Sequence, residues 1–178
     1  MIKLIRSFVL LTLLTLVLRP AGAAIYLKFT PVIKGDSVVS GYTDQIEVNS
    51  FQMGVGVTIA TGAGGQQASK PNVSEITVSK YLEKSSPTLV LDLNQGTKLT
   101  DATFSFVTTG GGGSPLLYYT VFLEDVFVTG YSVSSGGDRP SESLSLHFGK
   151  IHWTYYPVAG STANPETSGW DYVANVKL

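Results

Sequence analysis

Along most of this chain, apolar residues return at every second position. That spacing restricts it to strands with one face turned inward. Ile25, Leu27 and Phe29 alternate with Tyr26, Lys28 and Thr30. Ile46 and Val48 begin a second strand, which Phe51, Met53, Val55, Val57 and Ile59 continue. Ile76 and Val78 mark a third, and Ala102, Phe104 and Phe106 another. Leu117 to Val133 gives one long strand or two, and Leu144, Leu146 and Phe148 lead into Ile151, Trp153 and Tyr155. Trp170, Tyr172, Ala174, Val176 and Leu178 form the last. With frequent glycine between these runs, the pattern predicts an all-β domain.

Twice the apolar face moves from even to odd numbers, near Asn49-Ser50 and near Gly149-Lys150. A one-residue shift turns every later side chain to the other face. A β-bulge absorbs such a shift by bending the strand, and long bent strands belong to small barrels or curled sheets. A turn between two strands would produce the same pattern. One short helix is predicted from Ser85-Ser86-Pro87, a cap residue with proline at the start. Leu89, Val90 and Leu93 share a face and Gly96 ends it. Thr61 to Ser69 and Thr108 to Ser114 are glycine-rich and read as mobile loops, Ser134 to Arg139 reads as a turn, and Gly160 to Ser168 is polar.

The N-terminus reads as an export signal. Lys3 and Arg6 precede an apolar run from Phe8 to Leu18, and Ala21-Gly22-Ala23 supplies small residues for cleavage. The run is shorter than the roughly 20 residues a membrane span needs. The predicted division is a signal peptide over 1–23 and one domain over 24–178, secreted or periplasmic in a bacterium. Residues 1–23 hold three of the chain's 12 basic residues, so nine remain against 13 acidic ones, a net charge of −4. No basic footprint exists for nucleic acid or an anionic membrane surface. There is no cysteine, which excludes disulfides, thiolate catalysis and a lipid-modified cysteine. Charged residues make up only 14 % of the chain, against about 25 % in ordinary soluble domains, which suits faces turned toward neighbours.

Candidate chemistry is sparse. His147 and His152, read as lying on one strand, would stand roughly 16 Å apart, too far for one metal. Glu124 and Asp125 are adjacent in a strand and point to opposite faces unless a bulge separates them. No Gly-x-Ser-x-Gly elbow or phosphate loop occurs, and the run Gly110 to Gly113 lacks the lysine that a phosphate loop requires. Aromatics such as Tyr118, Tyr119, Trp153, Tyr155, Trp170 and Tyr172 suit a barrel core and subunit contacts more often than a sugar- or base-stacking platform. No catalytic residue, metal site or cofactor is predicted.

Three stretches closely resemble the haemolysin-coregulated-protein (Hcp) family, whose members form the inner tube of the type VI secretion system. They are Ile76 to Leu89 (ITVSKYLEKSSPTL), Asp138 to Ile151 (DRPSESLSLHFGKI), and Gly169-Trp170-Asp171 with Asn175. The opening strand, AIYLKFTPVIKGDS, fits as well. At the family's motif positions stand Lys80, Tyr81, Ser86, Pro87, Asp138, Arg139, Trp170 and Asn175, with structural roles. The resemblance implies a compact, bent-strand β-barrel with one flanking helix. It also implies a homo-hexameric ring, stacking of rings into a tube, and effector proteins carried in the lumen. The family's extended loop, which helps rings meet, would lie within Gly54 to Pro71, with Gly54, Gly56, Gly62, Gly64, Gly65, Gln66 and Gln67 as its stacking residues. The export signal departs from the family, whose subunits are loaded from the cytoplasm. It raises a second reading, an exported binding module working outside the secretion machine. An enzyme would have only Glu124, Asp125, His147 and His152 to work with.

Overall fold

The computed structural model describes residues 22–62, 64–110 and 113–178. Of the expected export signal, residues 1–21 lie outside them. In chain order the strands are β1 (Ala24–Thr30), β2 (Ile46–Val48), β3 (Ser50–Gln52), β4 (Val55–Gly56), β5 (Ile59–Gly62), β6 (Gly65–Ala68), β7 (Asn72–Val73) and β8 (Ile76–Tyr81). Helix α1 (Ser86–Gln95) follows, then β9 (Lys98–Thr109), β10 (Pro115–Ser134), β11 (Ser141–His147), β12 (Lys150–Tyr155), β13 (Glu166–Asp171) and β14 (Val176–Lys177).

The 20-residue β10 is the spine of the fold. One edge pairs with β9, from Pro115 opposite Thr109 to Phe127 opposite Lys98. The other edge takes β12 along Tyr119 to Glu124 and β11 along Phe127 to Ser134. From β9 the pairing passes to β1 and then β2; from β11 it passes to β8 and then β3. Asn49 joins β2 to β3, and its N–H donates to the Ser79 carbonyl at 2.7 Å. The ladders therefore return to their start as a curled barrel, with a narrow seam of three residue pairs on each side of Asn49. Strands β13 and β14 extend the sheet beyond β12. The core is fully buried, with Leu27 and Phe29 from β1, Phe104 from β9, Leu123 from β10, Leu146 from β11 and Ile151 from β12.

Both parity changes are real, and neither is a reversing turn. Val48 is buried and Phe51 packs against the same core because Asn49 takes up the odd residue. Phe148 and Ile151 both turn inward across Gly149, whose N–H donates to the Glu124 carbonyl while Asp125 opposite adopts φ 58°. β11 and β12 thus run end to end along one edge of β10. His147 and His152 belong to these two strands, so the reading that put them on one strand is corrected. Further slips in the β10 ladders, between Leu117 and Tyr119 and between Val128 and Gly130, let a long strand bend around a small barrel.

Three other expectations change. The strand begun by Ile46 stops at Gln52; Val55, Val57 and Ile59 are each more than half exposed and extend past the barrel, where no second layer covers them. The glycine-rich stretch around Thr61 is an ordered hairpin of β5 and β6, not a plain loop. The last strand reverses at Tyr172 to Asn175, because the Asp171 carboxylate accepts the Ala174 N–H at 2.7 Å and Asn175 takes φ 58°. Trp170 then pairs with Lys177 on the returning strand. The helix forms as predicted. Leu89 is fully buried, and Gly96 ends it at φ 63°, ψ 36°. Ser85, however, makes no capping hydrogen bond with its side chain.

Candidate assembly surfaces

Lys80 follows Ile76 and Val78 on the inward face of β8, and Glu142 precedes Leu144 and Leu146 on the inward face of β11. The two are direct cross-strand partners, and both side chains are completely buried. Lys80 Nζ lies 2.5 Å from Glu142 Oε2, 3.2 Å from Glu83 Oε1 and 2.9 Å from Ser86 Oγ. Ser86 Oγ donates to Glu142 at 2.8 Å and accepts the Glu83 N–H at 3.1 Å. The Tyr131 hydroxyl donates to the other Glu142 oxygen at 2.6 Å. This network ties the start of α1 to three strands. Burial alone would raise the Glu142 carboxyl, but hydrogen bonds from Lys80, Tyr131 and Ser86, with the Lys80 charge, hold it below its ordinary range. Burial, then the bond to the Glu142 carboxylate and its charge, push Tyr131 up to about 12.

Arg139, in the β10–β11 turn, donates to the Leu82 carbonyl, lies over the Tyr81 ring at 5.2 Å and reaches Asp36 at 3.7 Å. Of the motif residues, Lys80, Tyr81, Ser86 and Arg139 therefore gather at the C-terminal end of β8. Pro87 stands beside them at the start of the helix, and Asp138 precedes Arg139 in the turn. Trp170 and Asn175 are elsewhere, on β13 and in the turn after it. The sequence reading missed Glu142, Glu83 and Tyr131. One signal for the pair was present: a lysine and a glutamate, each in phase with the apolar residues of its strand.

The opposite end of β8 carries an arm. Gln52 pairs with Thr77, and beyond Met53, which still packs on the core, the chain leaves the barrel until Val73 returns to it. A short ladder of β4 with β7 forms the base, and β5 with β6 forms the outer hairpin. All eight residues of β5 and β6 are exposed. Gly54, Gly56, Gly62, Gly64, Gly65, Gln66 and Gln67 all lie in this arm. Beside its base runs an apolar groove of about 580 Å³, lined by Val55, Val57 and Pro71 against Trp153, Trp170 and Tyr172. Among the described residues, the buried Trp170 Nε1 finds no hydrogen-bond acceptor.

Glu124 bonds His152 at 3.0 Å and Lys150 at 3.5 Å, and Asp125 pairs with Lys98 at 2.6 Å, so the adjacent carboxylates serve separate ion pairs. Among the described residues no cluster of His, Cys, Asp and Glu is placed to hold a metal, and no helix is long and apolar enough to cross a membrane.

A family model described as "Type VI secretion system effector, Hcp" matches residues 26–155. The "Major exported protein" of Pseudomonas aeruginosa is 27 % identical over 147 residues, covering 80 % of this chain and 83 % of that one. "Protein hcp1" of the same organism is 30 % identical over 115 residues, covering 61 % of this chain and 69 % of its own. A solved structure described as that of a type six secretion system protein superposes with a TM-score of 0.76 at 25 % identity, over 88 % of this chain and 100 % of that one.

Proposed function

This chain belongs to the Hcp family of type VI secretion proteins, and on that premise we propose that six copies close into a ring and that rings stack into a tube. It is a structural tube protein of that system and not an enzyme. The observation that carries the stacked form is the arm. A hairpin with every strand residue in water, no charge on either strand and both outer edges unpaired is a poor surface for a lone subunit. Docked on a neighbour, it becomes contact area. The arm leaves one end of β8 and the Lys80 network closes the other, so copies meeting through unlike ends repeat along an axis. The groove beside Trp153 and Trp170 is an apolar face suited to the lateral contact. The ring lumen would carry effector proteins.

Export by the general secretory route is the second part of the proposal. It is supported by the apolar run from Phe8 to Leu18 and by Ala21-Gly22-Ala23 just before Ala24, where β1 begins. One experiment tests both parts: intact mass and light scattering on protein recovered from the medium, with negative-stain microscopy of the same sample. The expected result is a subunit beginning at Ala24 that runs at six times its mass and shows rings. A strictly monomeric species at high concentration would overturn the tube reading. A mass that retains residues 1–23 would overturn only the export route.

A further inference from the structure

At the Tyr81 end of β8, opposite the arm, a pocket of about 280 Å³ opens between the β1–β2 connection and the loop before α1. It is lined by the carboxylates of Asp36, Glu47 and Glu83, with Asn49, Tyr81 and Arg139. Arg139 is the lone cation of this lining, and it is engaged by Asp36 and the Leu82 carbonyl; Lys84, outside the lining, pairs with Asp36 at 3.9 Å and with Asp44 at 3.1 Å. Glu47 has no ion pair among the described residues. The Glu83 side chain is 5 % exposed. Its Oε1 accepts from Lys80 and from the Ser85 N–H, while its Oε2, also buried, accepts from nothing among the described residues. A buried carboxylate oxygen without a donor marks a place where a donor is missing.

A flexible ammonium suits this lining. The carboxylates do not converge as a metal site, whereas an ammonium carries three donors on a rotatable stem and can serve acceptors spread around a pocket. The arm supplies one. From Gly54 to Ser74, Lys70 is the only charged residue, and it is exposed with no ion pair among the described residues. Lys70 cannot reach the pocket of its own subunit, because the arm and the pocket lie beyond opposite ends of β8, about 17 Å apart along the strand alone. In a head-to-tail stack whose axis follows β8, the arm end of one subunit would face the Tyr81 end of the next. We propose that Lys70 of one subunit enters the Asp36–Glu47–Glu83 pocket of the subunit stacked on it, as the charged lock between rings. This rests on the stacked-ring reading.

The test is a charge exchange in the full chain, read by microscopy and by the pelleting of long assemblies. Lys70→Glu and Glu47→Lys are each expected to lower the stacked fraction at least tenfold at low salt, with rings intact. The chain carrying both substitutions recovers stacking. Zero-length carbodiimide coupling of unsubstituted assemblies, made from mixed light and heavy isotope-labelled chains, is expected to join Lys70 to Asp36 or Glu47 between chains. Single variants that stack normally, a double variant that fails to recover, or pocket carboxylates coupled to Lys28 or Lys177 instead would overturn the assignment. If the unsubstituted chain forms no rings, the reading beneath it fails. If rings and stacks form and ignore Lys70, only the pocket assignment falls.

Discussion

Lys80→Met is expected to lower the free energy of unfolding by about 3–5 kcal/mol, the range seen when one partner of a buried ion pair is removed. Methionine fills the volume, so the loss is not a cavity effect. It arises because Glu142, completely buried, keeps its charge with only Tyr131 and Ser86 left to donate, and Glu83 loses its counter-charge as well. Urea unfolding, followed by circular dichroism at one fixed protein concentration, reads the change; assembly would otherwise shift the midpoint by mass action. The double variant Lys80→Met/Glu142→Leu is expected to be no less stable than the single, because it removes the Glu142 charge along with its partner. Glu83 would still lack its counter-charge, and Tyr131 and Ser86 would lack an acceptor, which keeps the double below the parent by about 1–3 kcal/mol for each orphaned group. A double variant much worse than Lys80→Met would mean that the network matters through shape and not through charge.

The same network sets a pH dependence. The folded-state Glu142 carboxyl sits below its ordinary value, so its stabilisation is present above the unfolded-state value near 4 and disappears as pH falls through the folded one. Tyr131 is the reverse case. Its folded value of about 12 lies above the ordinary 10, so its contribution is complete below pH 10 and lost as pH rises toward 12. Unfolding midpoints measured from pH 7 down to pH 3 should therefore fall more steeply for the parent than for Glu142→Gln. Parallel curves would rule out a linked Glu142 titration.

Much of this architecture was readable from side-chain parity alone. The two shifts at Asn49 and Gly149 announced where a strand must bend, and the barrel bends there. Ser86-Pro87 and Gly96 bracketed the helix because proline and left-handed glycine act locally. What parity could not convey was what lies across from a face. Val55, Val57 and Ile59 alternate as core residues do, yet they stand outside the barrel, since alternation reports a pleat and not its neighbour. The final strand failed for a similar reason. Tyr172, Ala174 and Val176 keep the period, but the Asp171 carboxylate captures the Ala174 N–H and turns the chain back. The buried Lys80–Glu142 pair was legible only in combination, because pairing β8 with β11 is a long-range event that neither strand declares by itself.

Replacing residues 58–70 by Asn-Gly is expected to leave a folded, ring-forming subunit that no longer stacks. The excision joins Val57 to Pro71 across a two-residue loop, one step beyond the facing pair Gly56 and Asn72 at the end of the β4–β7 ladder, and it keeps both residues in the groove beside Trp153 and Trp170. β5 and β6 pair only with each other and bury nothing, so the core and the Lys80 network keep every contact. The shorter connection is itself slightly favourable in closure entropy. The unfolding midpoint should therefore stay close to the parent's. Stacking should respond far more strongly, because a six-membered ring presents the arm six times. A loss of only about 0.5 kcal/mol at each copy sums to about 3 kcal/mol per ring junction, more than a hundredfold in the junction constant. Microscopy and pelleting should then find single rings where the parent gives tubes. Long tubes assembled from the armless chain would show that the rings meet through the barrel ends alone, and that the hairpin answers to some other surface.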